Sequence, residues 1–259
     1  MALALALALA LALPSAAIGA AVQGIEAGFS PKPDATVVPG QSVALDDKKF
    51  SKKGSLYTRV FLDNVTPPVP SADVVDIDYP AEGRISTKGI PTCDPVEIAG
   101  RTPEDAIAAC RKAKVGEGSA TAFVAAGVEV SGPVNAFNGP EQGGNPTILL
   151  HAYTATPVLL QGVISPSPAG PQYGQRLHVP VSVAAGGGVP QGIAITDFSA
   201  TVSKLTKVKT KRRKGKRKTK KYSYVSARCT DGTAQFQGTF DYSNFDTQVA
   251  STTMPCTKK

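Results

Sequence analysis

The side chains able to do chemistry are few: two histidines, His151 and His178, four cysteines, and an aspartate group at Asp73, Asp76 and Asp78. A Ser-His-Asp arrangement needs an imidazole beside a nucleophile, and nothing in the sequence places one beside either histidine. No Gly-x-Ser-x-Gly elbow, His-Glu-x-x-His, Walker loop or helix-opening Gly-x-Gly-x-x-Gly occurs. The alternation Leu177, Val179, Val181, Val183 puts His178 on the opposite, wetter face of a strand. Asp76 and Asp78 share a strand face and carry oxygen ligands suited to calcium. No glycine-containing calcium loop surrounds them, so the group reads as a solvated acidic patch. Two carboxylates at a suitable separation would serve a glycosidase. Sugar stacking wants planar aromatics, but Trp is absent and the seven Tyr are scattered, leaving Tyr153 and Tyr173 as the candidate contacts.

The strongest feature is basic. The chain carries a formal charge of +8, yet Lys204 to Lys221 alone holds twelve Lys or Arg and no acid, leaving sixteen basic against twenty acidic residues elsewhere. Strand-like stretches flank the run and Gly215 lies near its middle, so 204–221 reads as the long tip of a β-hairpin, kept extended by like-charge repulsion. Lys207, Lys209, Lys211, Arg212, Arg213, Lys214, Lys216, Arg217, Lys218, Lys220 and Lys221 are the candidate polyanion-binding residues. Such residues act by counterion release with little demand on shape. The partners in view are anionic wall polymer, acidic polysaccharide or lipid headgroups. Only Tyr222 and Tyr224 adjoin the run, which gives no basis for specific nucleic-acid recognition by stacking. The bland alternative is a solvated loop that protects a hairpin edge.

Compartment follows from the N-terminus. Met1 to Leu13 alternates Ala and Leu without a charge, and Pro14 precedes a run of small residues, the pattern of a signal peptide over 1–21. No Lys or Arg precedes the apolar run, so the start lies upstream or the signal is atypical. No later stretch reaches the roughly 20 apolar residues of a membrane-spanning helix. Four cysteines in an exported chain read as two disulfides. Three pairings exist. Cys93 with Cys110 and Cys229 with Cys256 are favoured because each pair is close in sequence. Without Cys-x-x-Cys spacing or a nearby histidine, neither a metal site nor a cofactor is expected.

These features require a rigid frame, and the 25 Gly and 21 Pro rule out a long helical bundle. Strand candidates are Ala35 to Leu45, Ser55 to Val65, Ala120 to Val130, Thr147 to Thr154, Val158 to Ile164, Arg176 to Val183, Ile193 to Leu205, Tyr222 to Cys229, Thr233 to Tyr242 and Thr247 to Met254. Asn138 to Pro146, Ser165 to Gly174 and Ala184 to Gly192 read as loops. Thr102 caps a helix whose first turn holds Pro103, Glu104 and Asp105, with Arg111 and Lys112 at its far end. The expectation is an all-β chain: one β-sandwich of about ten strands over 22–259, with one short disulfide-linked helix and a long basic hairpin loop.

The succession Ile77-Asp78-Tyr79-Pro80, Gly83-Arg84-Ile85, Gly89-Ile90-Pro91-Thr92-Cys93, Ala109-Cys110, Val115-Gly116-Glu117-Gly118 and Ala136-Phe137-Asn138-Gly139, with Cys229 and Cys256, resembles a group of exported proteins of high-GC Gram-positive, actinobacterial-type bacteria. The resemblance implies a β-rich envelope or extracellular protein and carries no activity or site residue. The functional expectation is therefore a non-enzymatic secreted or cell-envelope protein attached to anionic polymer through its basic hairpin. The alternative is a secreted carbohydrate-active enzyme or lectin-like module.

Overall fold

The structure, a computed structural model, describes residues 22–259 except 34, 52, 66–68, 125–126, 155, 182–192, 212–216 and 244. The expected signal peptide over 1–21 and the expected loop over 184–192 lie outside the described residues.

The first half of the chain supplies β1 (Val22–Ser30), β2 (Val43–Leu45), β3 (Ser55–Asp63), β4 (Val74–Pro80) and β5 (Gly83–Ile85), then the helices α1 (Pro95–Ile98) and α2 (Pro103–Cys110). Long strands follow: β6 (Lys114–Val124), β7 (Val128–Gln142), β8 (Asn145–Tyr153), β9 (Pro157–Pro166), β10 (Tyr173–Pro180) and β11 (Ala194–Val202). The basic region forms β12 (Leu205–Lys211) and β13 (Arg217–Ser223), and the chain ends with β14 (Val225–Ala227), β15 (Thr233–Asp241) and β16 (Gln248–Lys258).

Twelve strands make one sheet in the order β1-β3-β11-β6-β7-β8-β9-β10-β4-β15-β16-β2. Every pairing in it is antiparallel except that of β16 with β2. The sheet curls until its ends nearly meet: the Phe29 amide of β1 donates to Met254 Sδ of β16 at 3.1 Å, and Gln23 Nε2 hydrogen-bonds the Tyr242 hydroxyl just beyond β15. The fold is thus all-β as expected, but the ten-stranded sandwich is replaced by a nearly closed barrel. Period-two alternation fixes that one face of a strand is buried; it does not say whether a second sheet or the far side of the same sheet covers that face.

The inward face carries the main core: Ile25 and Phe29, Ile77 and Tyr79, Ile148 and Leu150, Leu160 and Ile164, Leu177 and Val179, and Phe236, all buried. Outward positions hold charge, as with Arg59, which pairs with Asp197 at 2.5 Å and Glu26 at 3.4 Å. Apolar inside and charged outside is the reverse of a membrane-spanning barrel, whose outer band meets lipid. Among the described residues, no helix is long and apolar enough to cross a membrane.

β8 breaks the alternation, with six consecutive buried residues from Thr147 to Ala152. Its outer face is covered by the helical segment, which packs Ile98 and Ala106 against Phe137, Leu149 and Leu159. α2 begins as its sequence predicts: Thr102 Oγ1 accepts from the Asp105 amide and Pro103 opens the first turn. α1 is an addition, capped by the Asp94 carboxylate on the Val96 amide. Both disulfides form in the favoured pairing. Cys93–Cys110 clamps the two helices, and Cys229–Cys256 ties the segment after β14 to β16.

Several expected boundaries shift. Ala120 to Val130 spans the turn between β6 and β7, where Gly127 adopts a φ of 75°, and Asn138 to Pro146 is the end of a hairpin ladder rather than a loop. β1 and β4 were not among the expected strand segments: in β1 Gly24 and Gly28 interrupt the apolar period, whereas in β4 Val75, Ile77 and Tyr79 keep it and set Asp76 and Asp78 on the shared strand face read from the sequence.

Glycines in β6 and β7 stand where neighbouring backbone approaches closely. A Cβ on Gly118 would lie 1.9 Å from the Ser199 carbonyl oxygen, and one on Gly132 would lie 1.7 Å from that of Tyr153. Both neighbours are backbone and cannot rotate away. Gly132→Ala is expected to cost about 3 kcal/mol or more, read as a lowered urea midpoint with the m-value unchanged.

Candidate functional site: a basic ribbon

β12 and β13 form their own two-stranded sheet, hydrogen-bonded to no other, through seven register pairs from Leu205 with Ser223 to Lys211 with Arg217. The expected long loop is therefore mostly ladder. Of the candidate residues, Arg212, Arg213, Lys214 and Lys216 lie outside the described residues.

The ribbon rises from the end of the barrel where β6 and β10 begin and β11 ends. Its base is pinned there: the Tyr224 amide donates to the Lys204 carbonyl at 2.8 Å, the Ser203 amide to the Val115 carbonyl at 2.7 Å, and Lys204 Nζ to the Lys114 carbonyl at 2.8 Å. The Tyr222 ring sits over Gly89, where an added Cβ would come within 2.8 Å of it. Lys204 thus serves the base of the ribbon rather than its cationic surface.

Register sorts the remaining charges. Lys207 faces Lys221 across the ladder and Lys211 faces Arg217, while Lys209 faces Thr219. With a period of two, Lys207, Lys209, Lys211, Arg217 and Lys221 occupy one face; Lys218 and Lys220 occupy the other with Thr206, Val208, Thr210 and Tyr222. At about 3.4 Å per residue, the richer face presents basic positions along roughly 14 Å of ribbon. Lys207, Lys220 and Lys221 are exposed, and none of them takes part in the ion pairs of the described residues. Like charges opposite one another destabilise a ladder, so this ribbon concentrates positive charge at a cost to its own pairing.

The other candidate chemistry resolves into packing. Asp76 and Asp78 are not a solvated patch: Asp78 is fully buried and Arg176 lies between the two. Arg176 Nε and Nη2 donate to the two oxygens of Asp78 at 2.9 and 2.7 Å, and its Nη1 donates to Asp76 Oδ2 at 2.9 Å. His178 Nδ1 lies 2.7 Å from Asp76 Oδ1, and Ser167 Oγ donates to Asp78 Oδ1 at 2.6 Å. All four carboxylate oxygens are engaged. The bond to Asp78, with both neighbouring carboxylates, holds the Arg176 guanidinium still more firmly protonated than usual. Arg176 was legible beforehand, since the alternation that turns His178 outward turns Arg176 outward too.

Asp73 stands apart, accepting from Ser243 Oγ. Tyr173, a candidate sugar contact, is buried, with its hydroxyl donating to Gln237 Oε1 at 3.1 Å. Tyr153 is half-buried at the end of β8. His151 is fully buried, its Nε2 3.1 Å from the Arg101 carbonyl, and Nδ1 has no partner among the described residues.

Desolvation pushes the His151 pKa below the ordinary histidine value of 6.5, outweighing the bond to Arg101. Below pH 6.5 the unfolded chain binds a proton that the folded chain resists. Stability is therefore present above about pH 6.5 and falls as pH drops from there toward the lowered folded value. His151→Gln should flatten that part of the pH–stability curve measured by urea unfolding. Arg176→Met leaves two carboxylates facing each other without their cation and should cost about 3 kcal/mol at pH 7 by the same measurement.

No family model matches the chain, and no curated protein or solved structure matches it.

Proposed function

We propose that this chain is a non-enzymatic protein of the cell envelope or extracellular space, held to an anionic polymer by its basic ribbon. The observation that carries this reading is the register of β12 with β13, which sets five basic positions on one face of a ribbon that stands outside the barrel sheet. A strip of that kind exchanges condensed counterions of a polyanion for its own charges, which needs no shaped pocket and no aromatic platform. Export is supported by the charge-free Ala-Leu run and by two disulfides, bonds that persist in oxidising compartments. Anionic wall polymer and acidic polysaccharide are the partners that fit an exported ribbon; anionic lipid headgroups offer the same chemistry on a surface. Asp76 and Asp78 are occupied by Arg176 and Tyr173 is buried, which leaves Tyr153 as the half-buried candidate of the carbohydrate-active reading.

The test is a salt titration of the oxidised protein on long-chain polyphosphate and on alginate. Affinity is expected to fall about 10³-fold or more between 50 and 200 mM salt if six or more charges engage. Replacing Lys207, Lys209, Lys211, Arg217 and Lys221 together by Gln should reduce the salt slope by about five charges' worth, whereas Lys218→Gln with Lys220→Gln should reduce it by about two. Binding that is indifferent to salt, or equal in both variants, refutes the assignment. Binding confined to anionic vesicles would move the partner to a lipid surface.

A further inference from the structure

The barrel end away from the ribbon carries apolar side chains that face water. Val22 opens β1 opposite Asp63, the last residue of β3. One residue on, Gln23 Nε2 donates to the Tyr242 hydroxyl, and the Phe245 ring stands edge-on to that of Tyr242, 6.2 Å between centres. Val22 is 55 % exposed and Phe245 50 %. Asp63 and Asp246 are exposed with them, and neither takes part in the ion pairs of the described residues. The result, at the seam between β1 and β16, is a patch of apolar surface flanked by two carboxylates.

Charge at this end has one sign. The connections between strands there are 64–73, 125–127, 154–156, 181–193 and 242–247. With two residues on either side, they hold five acids and no Lys or Arg. Lys and Arg suit such a patch, because their hydrocarbon stems lie on apolar surface while the cation reaches a ring face or a carboxylate. The strip of this chain that presents such residues is the ribbon, with Lys207, Lys220 and Lys221 exposed, and it rises from the opposite end. β3 spans the distance between the two ends with nine residues, about 30 Å of strand. A molecule cannot therefore lay its ribbon on its own patch.

We propose that the patch formed by Val22, Phe245, Asp63 and Asp246 is a docking surface for the basic ribbon of a second copy of this chain. Charge complementarity selects that occupant: an acidic rim meets a strip whose like charges repel one another across their own ladder. The contact joins two different surfaces, so each added copy still offers a ribbon at one end and a patch at the other. Such head-to-tail contacts build chains or rings rather than a two-fold dimer. The proposal does not rest on the polymer reading, although a polyanion and a neighbouring copy would compete for the same ribbon.

The experiment is sedimentation velocity of the oxidised protein, up to roughly millimolar concentration, where a weak contact is populated. At about 20 mM salt the mean size is expected to grow with concentration past the dimer. At about 500 mM, where the screening length is below about 5 Å, it should return to the monomer. Asp63→Lys with Asp246→Lys should abolish association, and Phe245→Ser should weaken it about threefold. The Asp63→Lys, Asp246→Lys protein keeps its ribbon and should bind polyphosphate no less tightly than the parent, which separates this contact from the polymer reading and reports a folded chain. The decisive mixture combines that protein with the variant whose Lys207, Lys209, Lys211, Arg217 and Lys221 are Gln. Each is monomeric alone, and together they should form a one-to-one complex that grows no further. No association of the parent at low salt, growth that stops at a dimer, or association that survives in either variant overturns the proposal. So does a mixture that stays monomeric.

Discussion

Everything in this molecule depends on a sheet burying its apolar face against itself. Twelve strands of a single sheet present Ile, Leu, Val and Phe inward, and the other two sheets among the described residues have only two strands each. Closure must therefore be nearly complete, and it is achieved by a short β1-to-β16 junction and by two small devices at one end. There β14 pairs with β5 from Val225 with Ile85 to Ala227 with Gly83, outside the large sheet. Ile85, Val225 and Ala227 all join the interior cluster, so this miniature sheet forms a floor. The Cys229–Cys256 bond ties that floor to β16, at the seam where the barrel ends meet.

Closure also explains where charge goes. Outward positions on the barrel carry compensated groups, with Arg59 shared by Asp197 and Glu26, and Arg176 shared by Asp76 and Asp78. The ribbon is the exception. Register sets Lys207 opposite Lys221 and Lys211 opposite Arg217, and the exposed Lys207, Lys220 and Lys221 take part in none of the ion pairs of the described residues. Neutralisation from outside is the remaining way to lower that repulsion, which is the physical content of a polyanion partner.

The helical segment answers a different need. β8 and its neighbours carry apolar residues on both faces, and Phe137, Leu149 and Leu159 would otherwise be exposed on the barrel wall. Two short helices cannot hold themselves together by packing alone. The Cys93–Cys110 bond joins the segment before α1 to the last residue of α2, and Asn138 Nδ2 donates to the Ile90 and Pro91 carbonyls, fixing the approach to them. The same cover buries His151, which makes a chemically suggestive residue into a packing one.

The sequence by itself determined the β class, most strand positions after Asn145, the capped helix, the disulfide pairing and the isolated basic run. All of these rest on local signals: period-two alternation, turn residues, a capping threonine, short cysteine separations and charge density. Only the tertiary structure decided that the strands form one curled sheet, that Arg176 is the partner of Asp76 and Asp78, and that Tyr173 is buried. Those outcomes depend on which strand lies beside which and on what lies across the bore. Alternation says that a face is buried; it does not name the residue, or the empty space, on the other side.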